Sequence, residues 1–393
     1  MLSHLTETVP EFYPAPEYDI LPEEPTYGVR ALFFRSAEYR GKKTRVFAYY
    51  GAPEHGSGER LPAVLLVHGG GGTAYDVWVK QWCDRGYAAM AIDTEGAFPT
   101  EEARGRSCTE GMRGMRTRLD IGDCVSPPVN DQAVITGLAE DSWLYHAISA
   151  VILANSLLRS FPEVDADRVG IMGVSWGGVL TSHALAYDRR FAFAIPVYGS
   201  PFLATGDSKI NRTYRKYGVD LYFNAQARLN EIDFPILWQC HDTDCNFSID
   251  ANTRAYLATR HAGAVLAIGA IGHSHRSAWR REESFTLADS AVGRGAGLGC
   301  RVVTEPQGFG KVSFTVDLGE NATDLRAVCH YLTTPMAFDE NGKYAYEWNH
   351  LPASFEKGTV SFTLPESAMS YYVSLEWLQD GKRLSVSTCY VDR

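Results

Sequence analysis

No stretch of the 393 residues is long and apolar enough to span a bilayer. The N-terminus, MLSHLTETVPEFYPAPEYDILPEEPTYG, is polar, acidic and proline-rich, without the basic start and apolar core of a signal peptide. These absences lead to the expectation of a cytoplasmic chain with no membrane partner. An excess of positive charge is missing too: 37 Lys and Arg stand against 47 Asp and Glu, a formal net charge of −10. That balance excludes the electrostatic footprint of a nucleic-acid binder. The eight cysteines (83, 108, 124, 240, 245, 300, 329 and 389) include no CxxC pair, so neither a zinc ribbon nor a disulfide framework is expected. In a reducing compartment they serve as small buried apolar residues. Cys108 and Cys124, flanking a polar loop, are the one pair open to bridging. Internal repeats and low-complexity segments are absent.

What is present is the composition of a globular protein with a large core, 45% hydrophobic, 12% aromatic and 21% charged, at a length that suggests two domains. VRALFFRS and TRVFAYYGAP alternate as a β-hairpin around the turn 38–43. After it, short apolar runs read as strands buried on both faces: 63–67, 87–92, 169–173, 193–198, 236–239 and 265–268. Helix-length segments separate several of them, at 75–85, 141–159 and 176–187. Strand and helix in alternation imply βαβ units and a doubly wound, mostly parallel α/β sheet. Residues 95–135 are long, rich in Gly, Arg and Glu and weakly periodic, which reads as a loop or cap near a functional mouth. Beyond the glycine-rich AVGRGAGLGC the pattern becomes short alternating strands with the turn signals Glu340-Asn341-Gly342, Lys357-Gly358 and Asp380-Gly381. The expectation is an α/β domain over 1–298 and a small all-β, immunoglobulin-like sandwich over 299–393.

Gly173-Val174-Ser175-Trp176-Gly177 fits GxSxG and lies between an apolar strand and a helix. A serine there occupies a tight strand-to-helix turn, its hydroxyl projecting over the sheet edge, with a helix N-terminus supplying positive potential beneath it. His68-Gly69-Gly70-Gly71-Gly72 follows the strand at 63–67 and bares backbone N–H groups. In such a fold that loop supplies one oxyanion donor, here Gly70, and the residue after the nucleophile, Trp176, supplies the other. Neither GxxxxGK[ST] nor GxGxxG spacing is present, which weighs against a phosphate loop. No motif calls for a cofactor.

A serine nucleophile needs a base and an orienting acid, in the order Ser, Asp, His. The strand at 236–239 runs into CHDTDCNFSID, which offers Asp242 and Asp244; Asp244, before a short turn and a helix start at Ser248, is favoured. Asp233 lies at the wrong end of that strand. In IGAIGHSHRSAW, His273 is the first ionisable group beyond the last strand, and His275 stands about 7 Å further on if the segment is extended. His273 is therefore the expected base and His275 a pocket-lining candidate. His183, His241 and His261 read as helix or strand-end residues. A metal reading of the histidine pair would leave the serine turn and glycine loop without a purpose, and no metal site is expected.

With these elements in order, the chain resembles the α/β-hydrolases, and within them the acetyl xylan esterase / cephalosporin-C deacetylase and dienelactone-hydrolase-like branch. The resemblance is carried by HGGGGTAYDVWVKQWCDRGYAAMAID (68–93), YHAISAVILANSLL (145–158), VDADRVGIMGVSWGGVLTSHALAYDRRFAFAIPVYG (164–199) and GHSH. It implies that the family's acid falls on Asp244 and its histidine on His273. The chain departs from the pattern at His241, Ser248 and Arg276-Ser277, in the expected pocket wall. The activity implied is hydrolysis of a small or oligosaccharide ester through an acyl-enzyme. Gly71 and Trp279 join His275 as substrate-contact candidates; Trp78, Trp82 and Trp143 either stack on sugar or pack in the core. A serine peptidase of the prolyl-oligopeptidase type and a non-catalytic binding protein are the alternatives, and a homo-oligomer is compatible with everything above.

Overall fold

The computed structural model describes residues 2–108, 115–118, 137–206, 208–218, 220–339 and 343–393. In chain order the first part runs β1 (Phe12–Pro14), β2 (Arg30–Tyr39), β3 (Lys42–Gly51), β4 (Leu61–Val67), α1 (Asp76–Cys83), β5 (Ala88–Ile92), β6 (Ala97–Pro99), β7 (Arg116–Arg118), α2 (Trp143–Ser160), β8 (Val164–Val174), α3 (Trp176–Ala184), β9 (Phe193–Val197), α4 (Lys209–Tyr217), α5 (Asp220–Phe223), β10 (Leu237–His241), α6 (Ile249–Thr259), β11 (Val265–Gly269), α7 (His275–Ala278) and α8 (Glu282–Ala291). Among the described residues, nine strands form one sheet in the order β1-β2-β3-β5-β4-β8-β9-β10-β11. The pairs from β5 to β11 are parallel, while β1, β2 and β3 add an antiparallel edge. Every residue of β4, β5 and β9 is buried, because helices cover both faces of a parallel sheet.

The chain leaves β4 for β5 on one side and returns through α2 to β8 on the other. That reversal leaves a crevice at the carboxyl ends of β4 and β8, where open α/β sheets bind ligands. The loops His68–Gly72 and Gly173–Gly177 both begin there. Helix α2 explains its own placement: Ser142 caps it by accepting the Tyr145 N–H, and fifteen of its residues are buried.

The last part is β12 (Cys300–Val302), β13 (Lys311–Leu318), β14 (Ala322–Leu332), β15 (Asn349–Glu356), β16 (Thr359–Thr363), β17 (Ser370–Gln379), β18 (Lys382–Ser387) and β19 (Val391–Asp392). It is an all-β unit, antiparallel throughout, in the order β12-β13-β16-β15-β14-β17-β18, with β19 beside β17. Its core gathers Phe314, Val360, Tyr371, Val373 and Trp377. The turns Lys357-Gly358 and Asp380-Gly381 have positive φ at both residues, as tight hairpins require. The Glu340-Asn341-Gly342 turn lies outside the described residues, as do Cys124 and most of the cap at 95–135; of that cap, β6 and β7 pair antiparallel. Among the described residues no helix is long and apolar enough to cross a membrane.

Candidate active site

Ser175 sits between β8 and α3 with φ +60° and ψ −120°, a region that non-glycine residues rarely occupy. The surroundings hold it there. Its N–H donates to Val197 O at 2.9 Å and its carbonyl accepts the Val179 N–H at 3.1 Å. A Cβ at Gly173 would lie 2.1 Å from Gly177 O, and one at Gly177 would lie 2.0 Å from Val67 O. The two glycines of GxSxG are therefore a matter of space: helix, elbow and β4 approach too closely for any side chain.

Ser175 Oγ is 2.9 Å from His273 Nε2, and His273 Nδ1 is 2.6 Å from Asp244 Oδ2. The other Asp244 oxygen accepts the N–H groups of Asn246 and Phe247 at 2.8 and 3.1 Å. A carboxylate so fixed accepts a hydrogen bond from Nδ1–H and so keeps the proton on that nitrogen, which leaves Nε2 bare to accept the serine hydroxyl. Asp244 is buried, whereas the His273 side chain is a quarter exposed. The imidazole lies nearly parallel to Tyr198 at 4.4 Å and to Phe247 at 6.0 Å between ring centroids. The Tyr198 hydroxyl donates to Gly272 O, immediately before His273. Burial pushes that phenol up to about 12, so it remains a donor at neutral pH. Tyr198 and Phe247 were not singled out from the sequence; the position of Tyr198 just past the carboxyl end of β9 is the signal that points to it.

The glycine loop is held at both ends. His68 Nε2 accepts the Thr94 N–H at 2.9 Å and its Nδ1 donates to Gly69 O at 2.7 Å. Glu95 Oε1 accepts the Gly71 N–H at 2.6 Å while Oε2 pairs with Arg116 at 2.8 Å. Gly70 stands between these anchors, half-buried, and no described group accepts its N–H. Trp176, first residue of α3, has an N–H without an intrahelical partner. Its ring packs edge-on against Trp143 and Phe247 at 5.7 and 5.8 Å.

Three expected substrate contacts are corrected. His275 is buried beneath the loop, its Nε2 accepting the Gly69 N–H at 2.9 Å, and it contacts Tyr75 and Trp279 instead of lining the mouth. Trp279 is buried and stacks on Trp78 at 5.1 Å, so it belongs to the core, as do Trp78, Trp82 and Trp143. The Gly71 N–H is committed to Glu95. His241 and Asp242 have a different role, described below. Replacing His275 by Ala strands a buried Gly69 N–H, and an unsatisfied buried donor costs about 1–3 kcal/mol. A matching fall in denaturation midpoint by calorimetry or urea titration is expected, with turnover impaired through the loop but not abolished.

Residues 28–215 match the family model described as Acetyl xylan esterase (AXE1). The match spans the glycine loop and the serine turn; Asp244 and His273 fall beyond it. Similar solved structures include acetyl xylan esterase 1 from Thermoanaerobacterium sp. JW/SL YS485, at 15% identity and a TM-score of 0.49 over 74% of this chain and 92% of that one. The acetyl xylan esterase from Paenibacillus sp. R4 has 17% identity and a TM-score of 0.49 over the same shares. A Pyrococcus horikoshii acylaminoacyl peptidase has 20% identity and a TM-score of 0.44, over 64% of this chain and 39% of its own. No curated protein sequence matches the chain.

Proposed function

From an α/β-hydrolase that resembles the acetyl xylan esterases and matches their family model over residues 28–215, we propose a serine carboxylic-ester hydrolase that removes a small acyl group, acetyl above all, from a carbohydrate. The observation that carries the proposal is the continuous chain of hydrogen bonds Ser175–His273–Asp244, at 2.9 and 2.6 Å. Ser175 Oγ attacks the ester carbonyl as its proton passes to His273 Nε2; Asp244 stabilises the imidazolium. The negative charge that develops on the carbonyl oxygen is met by the N–H groups of Gly70 and Trp176 at the N-terminus of α3. The tetrahedral intermediate collapses, His273 returns the proton to the departing alcohol, and the acyl group stays on Ser175. Water, deprotonated by the same histidine, then releases the acid. The packed rings of Trp176, Trp143 and Phe247 beside the nucleophile support a short acyl group, and the family description supports a sugar alcohol.

Purified protein is expected to hydrolyse p-nitrophenyl acetate faster than the butyrate and far faster than the octanoate, to deacetylate xylo-oligosaccharides, and to leave peptide anilides intact. A fluorophosphonate probe should label Ser175; folded protein that takes no label would end the esterase reading. His273→Ala should lower kcat on the order of 10⁴-fold, and if His275→Ala alone abolished turnover the assignment of the base would be wrong.

A further inference from the structure

A cavity of about 630 Å³ lies between the α/β part and the all-β part, apart from Ser175, within the range of about 300–1,000 Å³ usual for small-molecule sites. One wall is His241–Thr243 and Gly269–Ile271, the residues directly ahead of Asp244 and of Gly272-His273; the other is built from Tyr344–Trp348, His350 and the β17 face. A ligand held here therefore rests on the two turns that carry the acid and the base.

The chemistry of the lining selects the ligand. Among its described lining residues the one arginine, Arg281, is already paired with Glu283 and bonded to Ser385, both at 3.0 Å. Glu347 and Glu376 are exposed, and neither has a partner among the described residues. Two carboxylates without a cationic partner repel an anion and accept hydrogen bonds from hydroxyl groups. His350 Nδ1 is 2.8 Å from His330 Nδ1, and His330 Nε2 is 2.8 Å from Ser374 Oγ; either tautomer leaves His350 Nε2 one hydrogen bond to offer. Burial, with the neighbouring His350, pushes His330 down to about 4, so the His330 ring adds no positive charge at neutral pH. Tyr344 is half-exposed, its ring 5.7 Å from Tyr346, and supplies an apolar surface for a ring face.

We propose that this interdomain cleft is a second, non-hydrolytic site that binds a neutral oligosaccharide, with Glu347, Glu376 and His350 meeting its hydroxyls and Tyr344 stacking on a sugar ring. The choice of sugar probe rests on the esterase reading; the site itself does not.

Calorimetric titration of the full chain with unacetylated xylotriose, cellotriose and maltotriose, with spermidine and glucose 6-phosphate as cationic and anionic comparators, tests it. At least one trisaccharide is expected to bind more tightly than both comparators, and the Glu347→Gln, Glu376→Gln and Tyr344→Ala variants should each weaken it about tenfold, the loss expected for a charged hydrogen bond at the two glutamates and for a stacked ring at Tyr344. The inference is overturned if no trisaccharide binds below about 10 mM, if a comparator binds better, or if the three variants bind like the parent. Protein that turns over p-nitrophenyl acetate but binds no sugar keeps the esterase reading and loses this one. Protein that binds sugar through these residues but cleaves no ester does the reverse.

Discussion

Replacing Ser175 by glycine should abolish ester hydrolysis and at the same time make the protein more stable. On the proposed mechanism the loss of activity follows from removing the nucleophile, on the order of 10⁴-fold or more in kcat. The gain in stability follows from the backbone. At φ +60° and ψ −120° the serine Cβ is held where only glycine is comfortable, at a strain of about 1–3 kcal/mol. Glycine relieves it and gives back up to about 1 kcal/mol through a more flexible unfolded chain. A net gain near 1 kcal/mol remains, a rise of about 2–4 °C in Tm. Ser175→Ala isolates the cause, since it removes the hydroxyl but keeps the Cβ: equally inactive, it should melt like the parent. Glycine and alanine variants of equal Tm would show that no strain is stored at the elbow. The neighbouring glycines carry the opposite sign. Gly177→Ala would drive a Cβ to within 2.0 Å of Val67 O and force β4 and α3 apart.

Much of this site was legible in the chain because its determinants are local. A strand buried on both faces announces itself by composition alone, so Leu61–Val67 and Phe193–Val197 were readable to within two residues. The serine turn and the glycine loop are each bound to the end of such a strand. The helix expected at 176–187 stops at Ala184. What stayed hidden is long-range. Strand β15, Asn349–Glu356, contains Pro352, which argues against a strand in sequence; in the sheet Pro352 faces Val328 of β14, and pairing with β16 starts only at Ser354, so Pro352 carries a ladder on one side alone. Strand β1 lies in the polar, proline-rich N-terminal segment and is made a strand by its register against Leu32–Phe34. His275 differs because spacing along an extended segment sets it about 7 Å beyond His273, as a pocket-lining residue. The chain instead turns into α7 at that residue, which sends the ring under the glycine loop. Its partner, the Gly69 N–H, is 206 residues away, and no periodicity reports such a contact.

A chain ended at residue 298 should be insoluble or inactive, although the break in sequence pattern there invites the cut. The all-β part does not merely adjoin the α/β core. Leu332, Tyr346, Trp348, Tyr372 and Cys389 belong to the same buried cluster as the central strands. The nine-stranded sheet ends in β11, an edge strand, and edge strands left bare are aggregation sites. Here Ser387 Oγ, at the end of β18, takes the Ile268 N–H at 2.9 Å, while the Ser385 N–H donates to Glu283 at 2.8 Å. The contact also reaches the chemistry. Asp242, two residues before the acid, accepts the Tyr346 hydroxyl and the Trp348 indole N–H on its carbonyl, both at 3.1 Å, and the Tyr372 hydroxyl on its carboxylate at 3.4 Å. Three side chains of the all-β part thus hold the turn that sets Asp244. Trp348→Ala in the full chain tests the link without removing the domain. Loss of a buried tryptophan costs about 3–5 kcal/mol, and a misplaced acid turn should lower kcat by about ten- to a hundredfold. Trp348→Phe keeps the ring and loses one donor, so it should recover most of the stability while kcat stays below the parent. A soluble 1–298 fragment with full turnover of p-nitrophenyl acetate would show instead that the acid turn holds itself.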